Sequence, residues 1–520
     1  MRHFTILSLA FMMLISCTPK KAKEHGTIFY TEFDTPYGMP PFDKITNDDF
    51  KPAFQKGIEQ QTEEINAIIN NEESPTFENT VIALDNSGSI LTRVSRVFYG
   101  LSGAETNDEI KAIAEELSPI LSEHSDNIYL NEELFDRINT LHKEEESINL
   151  TTEQSRLLNE YYKSFVRSGI MLDEDQKVRL REINKELSAL SLSFGNNLLN
   201  ETNGFKLVID NEEDLSGLPD GLIAAAAETA KDNGEEGKWM FTLQKPSWLP
   251  FLQYADNRDL REKLYKAMYN RGDNDNEYDN KENINKIVNL RLEKANMLGY
   301  DSHADFVMEE RMAKTPENVY DLLNEVWDYA LPQAKKEAVE MQALIDAEGG
   351  DFKLQSWDWF YYTEKVREKK YALNEAELKP YFKMENVREG VFTIANKLYG
   401  LNFKLLDNVP VYHPEVEAYE VTDADGKHIA VFYTDYFPRD GKRAGAWMSS
   451  FRGQSIQDGE NIRPLIFNVG NLSRPTNDIP ALFTLDEVET VFHEFGHALH
   501  GMLSNVTYSG LSGTSVPRDF

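Results

Sequence analysis

Cysteine is nearly absent from this chain of 520 residues, because Cys17 is the only one. A framework of disulfide bonds is therefore excluded, together with the small secreted proteins that depend on one. The fold must be stabilised by buried apolar surface instead. The apolar content of 41% is ordinary for a globular protein, and the length allows two to four domains.

Positive charge is also scarce: 54 Lys and Arg residues face 88 Asp and Glu residues, which gives a formal net charge of −34. Nucleic acids and anionic membrane surfaces bind basic patches, so we expect neither as a partner. The simplest interpretation of the acidic excess is a solvated shell that keeps the protein soluble. An acidic cavity that attracts cationic peptides is the alternative.

Long apolar runs are missing except at the start, in "MRHFTILSLAFMMLISC". The run from Phe4 to Ile15 is too short to span a bilayer but is typical of a signal peptide. Leu14-Ile15-Ser16-Cys17 resembles a bacterial lipobox, which predicts cleavage before Cys17 and lipidation of its thiol. We therefore expect a bacterial cell-envelope lipoprotein that faces the periplasm and touches the membrane only through this anchor. A plain secretory signal with a chance cysteine is the alternative.

After the signal peptide (1–17), residues 18–45 form a tether and a Pro/Gly-rich loop, "TPYGMPPF". Beyond it, apolar residues recur at steps of three and four, which predicts a mostly α protein. The clearest apolar stripe comprises Leu180, Ile183, Leu187, Leu190 and Phe194. The other predicted helices lie near 48–70, 78–100, 107–124, 152–168, 258–271, 281–298, 316–345, 359–374 and 385–399.

Strand patterns are few. "FKLVI" (205–209) and "WMFTL" (239–243) predict a small sheet around an alanine-rich helix, and "QKPSWLP" predicts a loop after it. We place a boundary there, between an N-terminal helical domain (46–250) and a C-terminal catalytic domain (251–520). In the latter, "EVEAYEV" and "HIAVFYT" flank an Asp-Gly turn and predict a hairpin. "RPLIFNVGNL" (463–472) predicts a third strand.

A short motif on one predicted helix carries the chemistry. "TVFHEFGHALHGM" (490–502) places His493 and His497 one helical turn apart on the same face. Two imidazoles so placed can bind one zinc ion, and Glu494 can act as general base on its water. This HExxH arrangement predicts a hydrolytic site with one Zn²⁺ per chain.

The flanking residues favour a helix at this motif. Thr484 and Glu487 are spaced as a capping box, and Gly501 is a candidate stop. His500 is three residues past His497, and we expect it to pack beside the site rather than bind metal. Two histidines on a helix without any metal are the alternative.

The motif and its surroundings resemble the thimet oligopeptidase-like zinc peptidases, in particular the bacterial peptidyl-dipeptidases (dipeptidyl carboxypeptidases). "FENTVIALDNSG", "SWDWFYYTEKVREKKYALNEAELKPYF", "DYFPRDGKRAGAWMSSFRG" and "FHEFGHALHGML" carry this resemblance, which extends over nearly the whole chain after the signal peptide. It implies a helical ellipsoid with a deep central channel and a small β-sheet beside the HExxH helix. It also implies a monomer that cleaves short unstructured peptides, most often releasing C-terminal dipeptides.

The resemblance assigns roles residue by residue. His493 and His497 match the zinc ligands and Glu494 the general base. "IFNVGN" matches a strand expected to pair with substrate backbone, which makes Phe467, Asn468, Val469 and Gly470 candidate substrate-binding residues. "GTS" matches a glycine-rich loop, so Gly513 and Thr514 are further candidates, although a turn without a function is an equal alternative.

The family's third zinc ligand is a glutamate that follows a sequence like "RDF", and the resemblance places it beyond Phe520. A tyrosine and a histidine that steady the intermediate are expected later still. Asp519 is the only carboxylate after the helix and would be a makeshift ligand at best. We therefore expect the 520-residue chain to bind zinc poorly and to hydrolyse little.

Three functions remain open on the sequence. A dipeptide-releasing peptidase is the first, and an endopeptidase (oligopeptidase) of the same family is its close alternative. A zinc peptidase with another cleavage pattern, such as an aminopeptidase, is the second, and it is disfavoured because no Gly-x-Met-x-Asn segment precedes the motif. A catalytically incomplete, lipid-anchored peptide-binding protein is the third.

Overall fold

The computed structural model describes residues 25–373 and 375–520. The predicted signal peptide, its lipobox with Cys17, and the first part of the tether lie outside the described residues. Among the residues that are described, no helix is both long and apolar enough to cross a bilayer.

Helices dominate the described chain, which confirms the predicted mostly α class. In chain order they are α1 (Asn47–Ile69), α2 (Ala83–Asp85), α3 (Ser89–Ala104), α4 (Asp108–Tyr129), α5 (Glu132–Lys143), α6 (Thr152–Arg167), α7 (Glu174–Gly204), α8 (Asp220–Asp232), α9 (Lys245–Tyr254), α10 (Arg258–Tyr269), α11 (Lys281–Met297), α12 (His303–Met308), α13 (Pro316–Ala347), α14 (Trp359–Tyr371), α15 (Glu375–Leu378), α16 (Met384–Tyr399) and α17 (Leu485–Met502).

Two helical predictions differ from the structure. The single helix expected over 78–100 is broken, because Gly88 adopts a left-handed backbone with φ of +73° just before α3 begins. The loop expected at "QKPSWLP" is instead α9, which begins at Lys245 and carries a proline in its first turn. Proline is compatible with that position because the first helical N–H groups need no partner within the helix.

The strands of the described residues form one five-stranded sheet and two two-stranded sheets. They are β1 (Leu207–Ile209), β2 (Trp239–Phe241), β3 (Asn402–Leu405), β4 (Glu417–Thr422), β5 (His428–Asp435), β6 (Trp447–Arg452), β7 (Ser455–Gln457), β8 (Glu460–Ile462) and β9 (Leu465–Val469). The predicted β1–β2 sheet and β4–β5 hairpin are both present and antiparallel. The five-stranded sheet has the order β3-β4-β5-β9-β6, with β5 and β9 parallel.

Both faces of this sheet are covered by helices. Val431 and Tyr433 of β5 pack in a core with α1, α3 and α4, whereas Ala430 and Phe432 pack in a second core with α16 and α17. Alternate residues of a strand point to opposite faces, so a strand buried on both sides reads as a continuous apolar run. The first core joins helices of the N-terminal half to the sheet of the C-terminal half.

Candidate active site

The HExxH segment lies on α17, whose start is fixed by side chains. The Thr484 hydroxyl accepts a hydrogen bond from the Glu487 N–H at 3.1 Å, and the Glu487 carboxylate accepts one from the Thr484 N–H at 2.8 Å. Glu487 is buried and also accepts the N–H and hydroxyl of Ser473. The predicted capping box is therefore confirmed, and it ties the helix to the segment after β9.

The end of α17 differs from the prediction. Gly501 does not stop the helix, which ends at Met502. A Cβ at Gly501 would lie 2.8 Å from Ile466 Cδ1 and 3.1 Å from Met448 Cε. The glycine is thus a point of close contact between helix and sheet.

The motif residues divide between the two faces of α17. Val491, Phe495, Ala498 and Met502 are buried against the sheet. His493 and His497 are exposed on the other face, and their ring centroids are 4.9 Å apart with an interplanar angle of 84°. The two imidazoles therefore lie on one face of α17, as their spacing in the sequence predicts.

Glu494 is half-buried between these faces. Burial raises the pKa of its carboxyl above the usual range, and the two neighbouring imidazoles partly oppose that rise. A carboxylate with a raised pKa is a stronger base, which suits a residue that must take up a proton near neutral pH.

The residues fit a zinc ion in ligand type but supply two of the usual three protein ligands. Across residues 25–373 and 375–520, no cluster of three or more His, Cys, Asp or Glu side chains is placed to hold a metal. The Asp519 carboxylate accepts the N–H groups of Met312 and Ala313 at 2.9 and 3.0 Å, so its oxygens are already engaged. The half-buried His500 has its ring centroid 6.2 Å from that of Phe520.

The strand at "IFNVGN", which the resemblance expects to pair with substrate backbone, is β9 in the structure. β9 is paired to β5 on one side and to β6 on the other. Phe467, Asn468 and Val469 are buried. Gly470 is engaged as well, because its N–H donates to the Asp435 carbonyl and its carbonyl accepts from Lys442 Nζ. No backbone edge of β9 is free, whereas β6 is the outermost strand beside it.

The segment after α17 packs closely against that helix. Gly513 has a positive φ of +57°, and a Cβ there would lie 3.4 Å from the Gly501 Cα. Its N–H donates to the Ser504 hydroxyl at 3.0 Å, while Thr514 is exposed.

Two carboxylates from the N-terminal half hold this segment in place, and sequence reasoning missed both. Glu153 accepts the N–H and hydroxyl of Thr507 at 2.5 and 2.7 Å. Asp85 accepts the N–H groups of Ser509 and Gly510 at 3.0 and 3.1 Å. The partners lie 354 or more positions apart, so no local pattern could have indicated them.

A buried charge cluster supports the end of β9 and was also missed. Asp435 is fully buried and accepts hydrogen bonds from Arg439, Lys442 and the Tyr412 hydroxyl, all at 2.7 Å. Burial lowers the pKa of Lys442 to about 8, although Asp435 opposes the shift. The Lys442 ammonium also donates to the carbonyls of Phe437 and Gly470.

Comparisons with known proteins agree with the resemblance carried by the motifs. The profile of Peptidase family M3 matches residues 251–520. A dipeptidyl carboxypeptidase of Escherichia coli (strain K12) is 40% identical over 493 residues, which cover 95% of this chain and 72% of that protein. A dipeptidyl carboxypeptidase of Salmonella typhimurium is 39% identical, with 93% and 71% covered.

Oligopeptidase A of Escherichia coli (strain K12) is 34% identical over 491 residues, which cover 93% of this chain and 72% of that protein. The identity is thus higher to the two dipeptidyl carboxypeptidases than to this oligopeptidase. The chain therefore belongs to peptidase family M3, the thimet oligopeptidase-like metallopeptidases, on the branch that includes the dipeptidyl carboxypeptidases.

Proposed function

We propose that this metallopeptidase is a zinc enzyme that hydrolyses short unstructured peptides and releases C-terminal dipeptides. The observation that carries the proposal is the exposed pair of imidazoles, His493 and His497, with the half-buried Glu494 carboxylate beside them. The sequence similarity to dipeptidyl carboxypeptidases supports the cleavage pattern.

In this proposal the chain's residues divide the work. His493 and His497 would hold the metal through ring nitrogens. A zinc ion at such a site makes water a stronger nucleophile near neutral pH and polarises the scissile carbonyl. A carboxylate oxygen of Glu494 takes the proton that the attacking water gives up and later returns a proton to the departing amine.

We further propose that the peptide backbone pairs with the outer edge of β6. This strand contacts α17 and has a partner on one side only, in β9. An extended peptide added to a sheet edge gains main-chain hydrogen bonds without dependence on sequence. Folded proteins cannot offer a free strand in this way, which favours short unstructured substrates.

Two alternatives belong to the same proposal. An endopeptidase mode is favoured by the 34% identity to oligopeptidase A. Peptide binding without turnover is favoured by the ligand set, because the described residues group no third metal ligand with the two histidines.

Localisation and partners rest on the sequence alone. We propose a monomer, lipidated at Cys17 and held at the periplasmic face of the cell envelope, with short peptides as its only partners besides the membrane. The net charge of −34 supports the absence of nucleic acid among them.

The test is zinc content and peptide hydrolysis for two proteins: the chain as written, and the same chain extended by the C-terminal segment of a dipeptidyl carboxypeptidase relative. We expect weak zinc binding and little turnover from the first, and one zinc per chain with release of Ala-Ala from N-acetyl-tetraalanine from the second. A C-terminally amidated substrate separates the modes, because amidation blocks dipeptide release but not internal cleavage. Stoichiometric zinc and rapid turnover from the chain as written would place the third ligand within residues 1–520.

A further inference from the structure

A cavity lies between α4, α6, α7, α11 and the segment 510–517. Its volume is about 900 Å³, and neither the two histidines nor Glu494 line it. Five Lys or Arg residues and three Asp or Glu residues face it. This excess of positive charge is unusual in a chain whose net charge is −34.

One wall of the cavity contains Asp126 and Lys294, which do not form a direct ion pair with each other. Asn184 Nδ2 donates to Asp126 Oδ1 at 2.8 Å, and Lys294 Nζ donates to Asn184 Oδ1 at 2.7 Å. The amide group of Asn184 thus lies between the carboxylate and the ammonium. Within the part of the chain that the structure describes, Lys294 has no carboxylate at ion-pair distance.

Asp126 is the residue that indicates a ligand. It is 7% exposed, and its Oδ2 atom has no hydrogen-bond partner among the described residues. Leaving a buried polar atom unpaired is unfavourable, and more so for a charged group. Burial raises the pKa of Asp126 and lowers that of Lys294, so both groups carry a desolvation penalty that a complementary ligand would offset.

Of the other four cations, Arg156 lies 2.8 Å from a Glu160 carboxylate oxygen and Arg311 donates to the Glu310 carbonyl at 3.3 Å. Lys163 Nζ lies 3.4 Å from a Glu310 carboxylate oxygen. Arg167 donates to the Phe306 carbonyl at 2.7 Å, pairs with Glu309 and has its guanidinium carbon 4.2 Å from the Phe306 ring centroid. Lys294 is the cation that Asn184 links to Asp126, so it is the one placed to bind the anionic end of a ligand that also reaches Asp126.

We propose that this cavity binds a short zwitterionic peptide, with the ligand's ammonium on Asp126 and its carboxylate on Lys294. A simple anion would satisfy Lys294 but would be repelled by Asp126, and a simple cation would meet the reverse problem. The intervening amide keeps the two charges further apart than in an ion pair, which suits groups separated by a peptide unit. Serine hydroxyls of the wall, such as those of Ser122 and Ser164, can hydrogen-bond that unit.

The proposed peptide-binding cavity is close in the chain to the helix that carries the HExxH motif. Its wall at 510–517 belongs to the segment that follows α17 and is held at Gly510 by Asp85. A peptide bound here would contact the chain directly after the helix that carries His493 and His497. None of His493, Glu494 and His497 lines this cavity, so binding here does not require the proposed catalytic centre to be active.

The test is isothermal titration calorimetry on the full chain with the dipeptide Ala-Ala as probe. Because the proposed catalytic site could also hold a dipeptide, the titration is done in a His493→Ala/His497→Ala background as well. We expect Ala-Ala to bind equally in both. N-acetyl-Ala-Ala and Ala-Ala-amide each lack one charge and should bind at least about tenfold more weakly, a difference of about 1.4 kcal/mol.

Side-chain variants test the same contacts from the protein. Asp126→Asn and Lys294→Met should each weaken Ala-Ala binding at least about tenfold, since each removes one partner of a charge-assisted hydrogen bond. Asp321→Asn and Lys335→Met, two exposed positions on α13 outside the cavity, are the matched controls and should change nothing.

Five results would overturn the proposal. They are no binding of Ala-Ala at millimolar concentration, equal affinity for the blocked dipeptides, unchanged affinity in both cavity variants, equal affinity for alanine and Ala-Ala, and loss of binding in the histidine variant alone. The last result would assign the dipeptide to the proposed catalytic centre and leave the proposed function standing. Equal affinity for alanine and Ala-Ala would reject a peptide as the ligand.

Discussion

At the scale of single residues, Glu494 is the group on which the proposed chemistry depends most. Glu494→Gln keeps the shape of the side chain but removes the base. In an enzyme that contains the complete metal site, we expect turnover to fall by about 10²–10⁴-fold, the usual contribution of general acid–base catalysis. Zinc content should not change, because Glu494 is not proposed as a ligand.

Glu489→Gln is the matched control for this experiment, since Glu489 is exposed on the same helix. It should retain full turnover and full zinc. Steady-state peptide hydrolysis and metal analysis of both variants decide the matter. If Glu494→Gln cleaves peptides as fast as the parent protein, another residue must take the proton.

The sequence indicated some of these residues and not others for a physical reason. His493 and His497 follow the helical period, which is local, so their common face could be read from spacing alone. Asp85 and Glu153 act on Ser509, Gly510 and Thr507 across the fold. Contacts of that kind depend on tertiary packing, which spacing does not encode.

At the scale of elements, the contact between α1 and α3 is set by one glycine. A Cβ at Gly57 would lie 2.7 Å from the backbone nitrogen of Leu91. In Gly57→Ala the two helices must move apart, and overpacking of this kind costs about 1–3 kcal/mol. We expect a net loss of stability in urea unfolding, although alanine favours the helix by up to about 1 kcal/mol.

Gly390→Ala is the control for that variant. Gly390 lies within α16, and a Cβ there would have no neighbour within 4 Å. Only the helix propensity changes, so this variant should be as stable as the parent or more stable by up to about 1 kcal/mol. Equal effects of the two substitutions would show that the α1–α3 contact does not depend on Gly57.

The buried charge cluster around Asp435 predicts that the stability of the protein depends on pH. Burial alone would raise the pKa of Asp435, but hydrogen bonds and charges from Arg439 and Lys442 lower it below the ordinary 3.8. A carboxyl with a lowered pKa in the folded state stabilises the protein above its ordinary pKa. That contribution is lost as the pH falls through the folded-state value.

Asp435→Asn tests this cluster. Removing one partner of a buried charge pair costs about 3–5 kcal/mol, so the variant should be that much less stable at pH 7. As the pH falls below about 4, the carboxyl takes up a proton in the unfolded parent but stays charged in the folded parent until a lower pH, so the difference between the two proteins should narrow. The free energy of unfolding in urea, measured from pH 7 to pH 3, gives the result. A constant difference over this range would show that Asp435 is not charged in the fold.

The strands show why elements were only partly predictable. β5 and β9 are covered on both faces, and the segments "HIAVFYT" and "RPLIFNVGNL" predicted both strands but not this double covering. β6 is an outer strand of mixed burial, and "WMSSFR" has no regular alternation. β6 pairs with β9 at one end of the five-stranded sheet. Its position as an outermost strand depends on this pairing and could not be predicted from the sequence. The apolar stripe on α7 likewise became core only at Leu180 and Ile183.

At the scale of the whole molecule, the two predicted halves share a core. Phe54 and Phe98 from the N-terminal half lie in the same cluster as Tyr433 and Phe467 of the sheet. Each half alone would expose one face of this contact. The boundary that the sequence analysis places near residue 250 falls within α9.

The proposed membrane attachment depends on Cys17, which precedes every described residue. Cys17→Ser removes the thiol that a lipid would modify, so the variant should move from the membrane to the soluble fraction. The acidic body, with a net charge of −34, has no electrostatic attraction to an anionic membrane that would retain it. Ser16→Ala keeps a small residue before the cysteine and is the control that should stay membrane-bound. Growth with labelled fatty acid, followed by purification, measures the modification directly. A parent protein that never carries the label would remove the lipid anchor from this account.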